Sequence, residues 1–177
     1  MLQMEGYKMN ITPRFLTRSA LLLALAIAVQ SFKLPQPVTG PLVNAILFLA
    51  TATVGTLSGV IVGLFTPVLA FVFGIMTLFP AVPLIMAGNA ALALVYGILQ
   101  KRPVAGILAA SLAKYALLTS GVYYVLPLFL SKPLPAKVIS LLTTPQLFTA
   151  LAGGVLAYLV LQGLSLLKKE KETNSHN

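Results

Sequence analysis

From residue 19 to residue 167 the chain carries no acidic side chain, and its long apolar runs are punctuated mainly by prolines, glycines and isolated basic residues. A water-soluble fold is excluded on those grounds. Apolar residues make up 58% of the 177 and charged ones 8%, against about 25% charged in an average soluble domain, and mean hydropathy is +0.96. Too few polar side chains exist to cover a globule of this size. In lipid each backbone N–H and C=O must be paired within its own segment, which favours helices. The chain therefore reads as an all-α integral membrane protein, a single membrane domain over residues 1–177 with cytoplasmic tails of about 1–15 and 168–177.

At roughly 20 residues per crossing, the punctuation predicts a bundle of six transmembrane helices: 16–32, 42–54, 57–76, 82–99, 104–126 and 138–167. The first 18 residues are polar and basic and lack the layout of a cleavable signal peptide. With the N-terminus inside, the cytoplasmic segments hold Lys8, Arg14, Arg18, Lys101, Arg102, Lys168, Lys169 and Lys171. The outer loops hold only Lys33, Lys132 and Lys137. Basic residues gather on the cytoplasmic side of membrane proteins. An even number of spans, with both termini inside, satisfies that rule; five or seven would not. The same dispersal argues against nucleic acid as a partner for the net charge of +9, because no basic stripe with interleaved aromatics is present. Membrane lipid is the implied surroundings.

Residue types also exclude chemistry. The acids are Glu5, Glu170 and Glu172, the single histidine is His176, and there is no cysteine. Metal sites, proton relays and general acid–base pairs inside a membrane are built from such groups, so neither metal nor cofactor is implied. A phosphate-cradling GxxxxGK[ST] loop is missing too, so any uphill transport must draw its energy from a partner. Ser111, three residues before Lys114, is the nearest approach to a nucleophile–base pair, and an intramembrane enzyme is disfavoured.

Lys114 is the most informative residue. It lies about ten residues into the fifth span, hence roughly 15 Å deep at 1.5 Å per residue, where a lysine costs about 2.5 kcal/mol or more. No acid within the spans neutralises it. It must snorkel, give up its proton, or meet an anion brought from outside, and the last is the favoured reading. Leu117, Leu118, Gly121, Tyr124 and Val125 follow it at helical spacing, and Tyr115, Thr119 and Tyr123 lie on the adjacent stripe. Asn89 in the fourth span is a second polar intruder, equally a ligand contact or a bond between helices. Asn44 starts the second span, and Thr143, Thr144 and Gln146 surround Pro145 in the sixth. If helices pack in sequence order, these groups converge in the outer half of the bundle.

Two stripes of small residues invite close helix approach. Ala20, Ala24 and Ala28 share one face of the first span, and their partner belongs either to this chain or to another. Gly55, Gly59 and Gly63 open the third span and read as internal packing against the first or second. Pro67 in that span frees backbone carbonyls, for structure or for a cavity. Pro35, Pro37 and Pro41 predict an extended first outer loop, either a stiff cap over the bundle or an ordinary turn.

Together these features resemble the substrate-binding S components of energy-coupling factor (ECF) transporters, the micronutrient importers of prokaryotes. The resemblance covers about residues 17–167. It rests on the size, six spans with both termini inside, the Ala20-xxx-Ala24-xxx-Ala28 stripe and the proline-rich first outer loop. Gly88-Asn89-Ala90, running into Val95-Tyr96-Gly97 and a basic turn, adds to it. It implies a plasma-membrane protein that is not an enzyme and binds a vitamin or similar micronutrient with high affinity. It implies as partners a transmembrane coupling subunit, which the alanine face would contact, and two cytoplasmic ATPase subunits. The ligand region it implies spans residues 35–39, 76–79, 114–124 and 144–146 with Asn89. The candidate binding residues are thus Lys114, Asn89, Tyr115, Gly121, Tyr124, Asn44, Thr144 and Gln146. Lys114 favours a carboxylate or phosphate on the cargo, and the lack of acids counts against a cationic one. A stand-alone facilitator, or an assembly factor without ATPase partners, is the competing reading.

Overall fold

The computed structural model describes residues 12–130 and 136–174, the side chains of residue 137 and of 168–174 excepted. Lys8 and Lys132, and the side chains of Lys137, Lys168, Lys169 and Lys171, fall outside it, so the charge asymmetry stands on the sequence.

Among the described residues the chain is helical throughout. Helix α1 (Pro13–Ser31) starts at Thr12, whose hydroxyl accepts from the Phe15 N–H at 3.2 Å, with proline in its first turn. Helix α2 (Gln36–Thr53) begins six residues earlier than the sequence suggested. The expected extended loop over Pro35, Pro37 and Pro41 is instead the start of this helix, with Pro37 in its first turn and Pro41 inside. Proline fits a first turn because no helical partner exists there for the missing N–H. Gly55, at φ 130°, makes the turn into α3 (Thr56–Val72). Helix α4 (Ala81–Ile98) follows, then α5 (Pro103–Ser120). A π-helical turn at Gly121–Val125 carries α5 into the short α6 (Leu126–Phe129). The expected sixth span is broken at Thr143 into α7 (Ala136–Leu142) and α8 (Thr144–Asn174). Pro145 sits in the first turn of α8; in an unbroken helix it would have no N–H to give to the Leu141 carbonyl four residues earlier, which accepts from Gln146 Nε2 at 2.9 Å instead.

By length and composition Pro13–Ser31, Ala81–Ile98, Pro103–Phe129 and Val138–Leu167 suffice to cross a membrane, and Thr56–Val72 is a shorter apolar helix. The less apolar α2 is the central one. It packs on α8, α3, α1 and α4, and buries Asn44 to Phe48, Ala50 and Thr51. The glycines of α3 serve α2 and α4 rather than α1: a Cβ at Gly59 would meet Thr51 and Ala93, and one at Gly63 would meet Asn89. Helix α1 sits on α3 instead through a buried Ser19–Ser58 hydroxyl pair at 2.7 Å. Ser19→Ala or Ser58→Ala alone orphans the other hydroxyl and costs about 1 kcal/mol. The double variant removes both and is expected to melt no lower than either single one in detergent.

Two apolar clusters make up the interior. One gathers Leu47, Phe48, Val62, Leu92, Tyr96, Ala110, Ala150 and Ala157, with Phe48 edge-on to Tyr96 at 4.8 Å. The other gathers Ala81, Leu84, Leu118, Val122, Leu126 and Leu142. The chain order of these residues places a polar layer between them. On α5 Lys114 lies between Ala110 and Leu118, and on α4 Asn89 lies between Leu84 and Leu92. From α7 to α8, Gln146 and Thr149 lie between Leu142 and Ala150.

Candidate functional site

The polar layer is organised by one proline. Pro67 has no N–H to give to the carbonyl four residues earlier, and that carbonyl, on Gly63, accepts from Asn89 Nδ2 at 3.0 Å. The missing side chain of Gly63 lets α4 come close enough for this bond. With its nitrogen so held, Asn89 turns Oδ1 toward Lys114, whose Nζ donates to it at 2.7 Å. Asn44 does the same from α2, accepting from Nζ at 2.6 Å while its Nδ2 faces Thr149 Oγ1 at 3.5 Å. Thr149 in turn donates to the Gln146 carbonyl at 3.2 Å. Three helices thus meet at the ammonium of Lys114, a residue that is 3% exposed.

Among the described residues the hydrogen-bond partners of that charge are neutral amides alone. They orient it and satisfy two of its three N–H donors, but they do not cancel it. Beside it lies a cavity of about 140 Å³ lined by Gln30, Gln36, Thr39, Gly40, Val43, Asn44, Thr66, Pro67, Met76, Ile85, Asn89, Lys114 and Gln146. A larger groove of about 750 Å³ opens between α4 and the α5–α6 segment, but Ser120 is the one side chain with a polar atom among its lining residues. The smaller cavity holds the chemistry and is the candidate site.

Of the residues expected from sequence, the cavity collects Lys114, Asn89, Asn44 and Gln146. Gly121 lies against Leu84 and lines the apolar groove instead. Tyr124 is 76% exposed, Thr144 is exposed at the start of α8, and half-buried Tyr115 does not line the cavity. Gln30, Thr66 and the positioning residue Thr149 were not expected. The Thr66–Pro67 pair was the available signal, since Thr66 Oγ1 donates back to the Val62 carbonyl at 2.6 Å beside the proline. Ser111 makes no pair with Lys114: its hydroxyl is fully buried without a hydrogen-bond partner, while Nζ bonds the two asparagines. Ala20, Ala24 and Ala28 are all exposed, so the alanine face is not used in packing within the described residues.

Residues 14–165 match the family model of the ECF transporter substrate-specific component. No curated protein and no solved structure matches the chain. The chain belongs to the family of ECF transporter substrate-specific components. It is a multi-pass membrane protein of a transport-binding family whose members are not enzymes and work with a transmembrane component and ATPases.

Proposed function

We propose that this chain is the cargo-binding subunit of an ATP-driven importer in a prokaryotic plasma membrane, taking up a small anionic vitamin or micronutrient. It crosses the membrane six times with both termini in the cytoplasm, and the cargo sits in the outer half of the bundle at Lys114. The observation that carries this reading is the buried Lys114 ammonium, bonded to Asn44 and Asn89 with no acid available inside the bundle. Such a cation is costly in a membrane interior, and an anion arriving from outside offsets the cost.

The exposed alanine face supports the second half of the reading. Small side chains let another helix approach closely where no hydrophobic effect drives association, and a coupling subunit is the partner proposed for Ala20, Ala24 and Ala28. The test is uptake into vesicles containing the chain with a coupling subunit and two ATPases, beside vesicles with the chain alone. Uptake that needs both partners and ATP is expected. Equal uptake by the chain alone would establish a facilitator. Ala24→Trp is expected to abolish co-purification with the coupling subunit, and uptake with it, while cargo still binds the isolated chain.

A further inference from the structure

We infer that Asn44 and Asn89 make the cavity selective for a small monocarboxylate, by holding the Lys114 ammonium in place without discharging it. The inference rests on the cargo-binding reading above and adds the charge, head group and size of the cargo.

Both asparagines stand where an aspartate of the same shape would form a buried ion pair with Lys114 Nζ, at 2.6 and 2.7 Å. As amides they bring no negative charge of their own, so the positive charge of a protonated Lys114 is left for the cargo to meet. Among the described residues Lys114 is the one charged residue lining the cavity, and that single charge matches one negative charge on the cargo. A phosphate monoester brings about 1.5 to 2, and its surplus would be buried unpaired, a costly arrangement. A carboxylate balances the count.

Donor arithmetic agrees. The ammonium has three N–H groups and spends two on the asparagines. Each amide nitrogen has two N–H groups; one on Asn89 goes to Gly63 O and one on Asn44 faces Thr149. Donors are left over on all three side chains, and an ionised carboxylate only accepts. A primary amide head would add donors to a site already rich in them. The cavity measures about 140 Å³. It lies below the roughly 300 Å³ at which drug-sized pockets begin. One ring or a short chain fills it.

The probe is a mixture of one-ring and short-chain monocarboxylates, each accompanied by its primary amide and its phosphate-headed counterpart. It is offered to the purified full-length chain, and retained compounds are identified by mass spectrometry. Wild type is expected to retain acids at least tenfold over amides and phosphates. Asn44→Asp is expected to reverse the preference towards amides. It is the cleaner substitution, because the bond Asn44 Nδ2 gives up is the long one at 3.5 Å. Asn89→Asp, which sets a carboxylate against the Gly63 carbonyl, is the second variant, its folding checked by melting. Equal retention of acids and amides by wild type overturns the inference, as does an Asn44→Asp protein that still prefers acids. So does failure to retain any of the three heads while ATP-dependent uptake of some other solute persists, which leaves the cargo-binding reading intact. Absence of all binding and uptake defeats both.

Discussion

Lys114→Met lowers cargo affinity about 10²- to 10³-fold and leaves the empty protein folded. Removing one member of a buried charge pair costs about 3–5 kcal/mol, and each 1.4 kcal/mol is tenfold in affinity. The lower end is expected here because the cavity is open to water at its mouth. Methionine has the length and flexibility to fill the lysine stem's space, so α2, α4 and α5 keep their packing. Two hydrogen bonds to Asn44 and Asn89 are lost, but so is the cost of holding a charge in the membrane interior. Water entering from the cavity can satisfy the two amide oxygens. The melting temperature of the empty protein therefore changes little, while the rise that cargo produces in wild type disappears. The check is melting in detergent with and without the cargo that native mass spectrometry finds on wild type. Undiminished cargo binding by Lys114→Met would reduce the lysine to a brace between helices. Loss of folding would show that the brace is its main task.

Lys114, Asn89, Asn44 and Gln146 were legible in the sequence because a polar side chain in an apolar run stands out whatever its neighbours are. Helices were legible for a similar reason, since lipid leaves the backbone few other ways to pair. What escaped depended on geometry between segments. Helical spacing counted from Lys114 pointed to Gly121 and Tyr124. The π-helical turn at Gly121–Val125, with its wider i→i+5 bonding, shifts the register there, and Tyr124 faces outward. Three prolines near the start of α2 read as an extended loop, and only the packing of Gly40 on Thr149 and of Gly153 on Pro41 shows why a helix wins. The glycine face of α3 was visible, but its partner was not: spacing states that something comes close, and Asn89 turned out to be that neighbour. Pro67 was seen to free a carbonyl, yet its acceptance of the Asn89 amide required a second helix 26 residues away in sequence.

Gly153→Ala is expected to lower stability by about 2 kcal/mol and cargo affinity at least tenfold, although it touches no cargo. Elsewhere in a helix the substitution stabilises by roughly 0.5–1 kcal/mol, since glycine loses more backbone freedom on folding. At Gly153 a Cβ would stand 2.6 Å from the Pro41 carbonyl oxygen, 2.6 Å from Asn44 Cβ and 2.8 Å from the Ala45 nitrogen. Two of these are backbone atoms of α2, so no side-chain rotation relieves the overlap and the helices must part. Overpacking of this kind costs about 1–3 kcal/mol, which exceeds the entropic gain. The displaced element carries Asn44, whose Oδ1 holds Lys114 at 2.6 Å, and a hydrogen bond weakens steeply once its geometry is lost. Packing and binding thus fall together. Gly163, ten residues further along α8 with nothing within 4 Å of its Cβ position, supplies the control: Gly163→Ala should melt at or slightly above the wild-type temperature and bind cargo normally. At about 2–4 °C per kcal/mol for a chain of this size, Gly153→Ala should melt several degrees lower. Wild-type melting and cargo binding in Gly153→Ala would mean that α2 and α8 do not make this close approach, and that Asn44 is not held beside Lys114 by it.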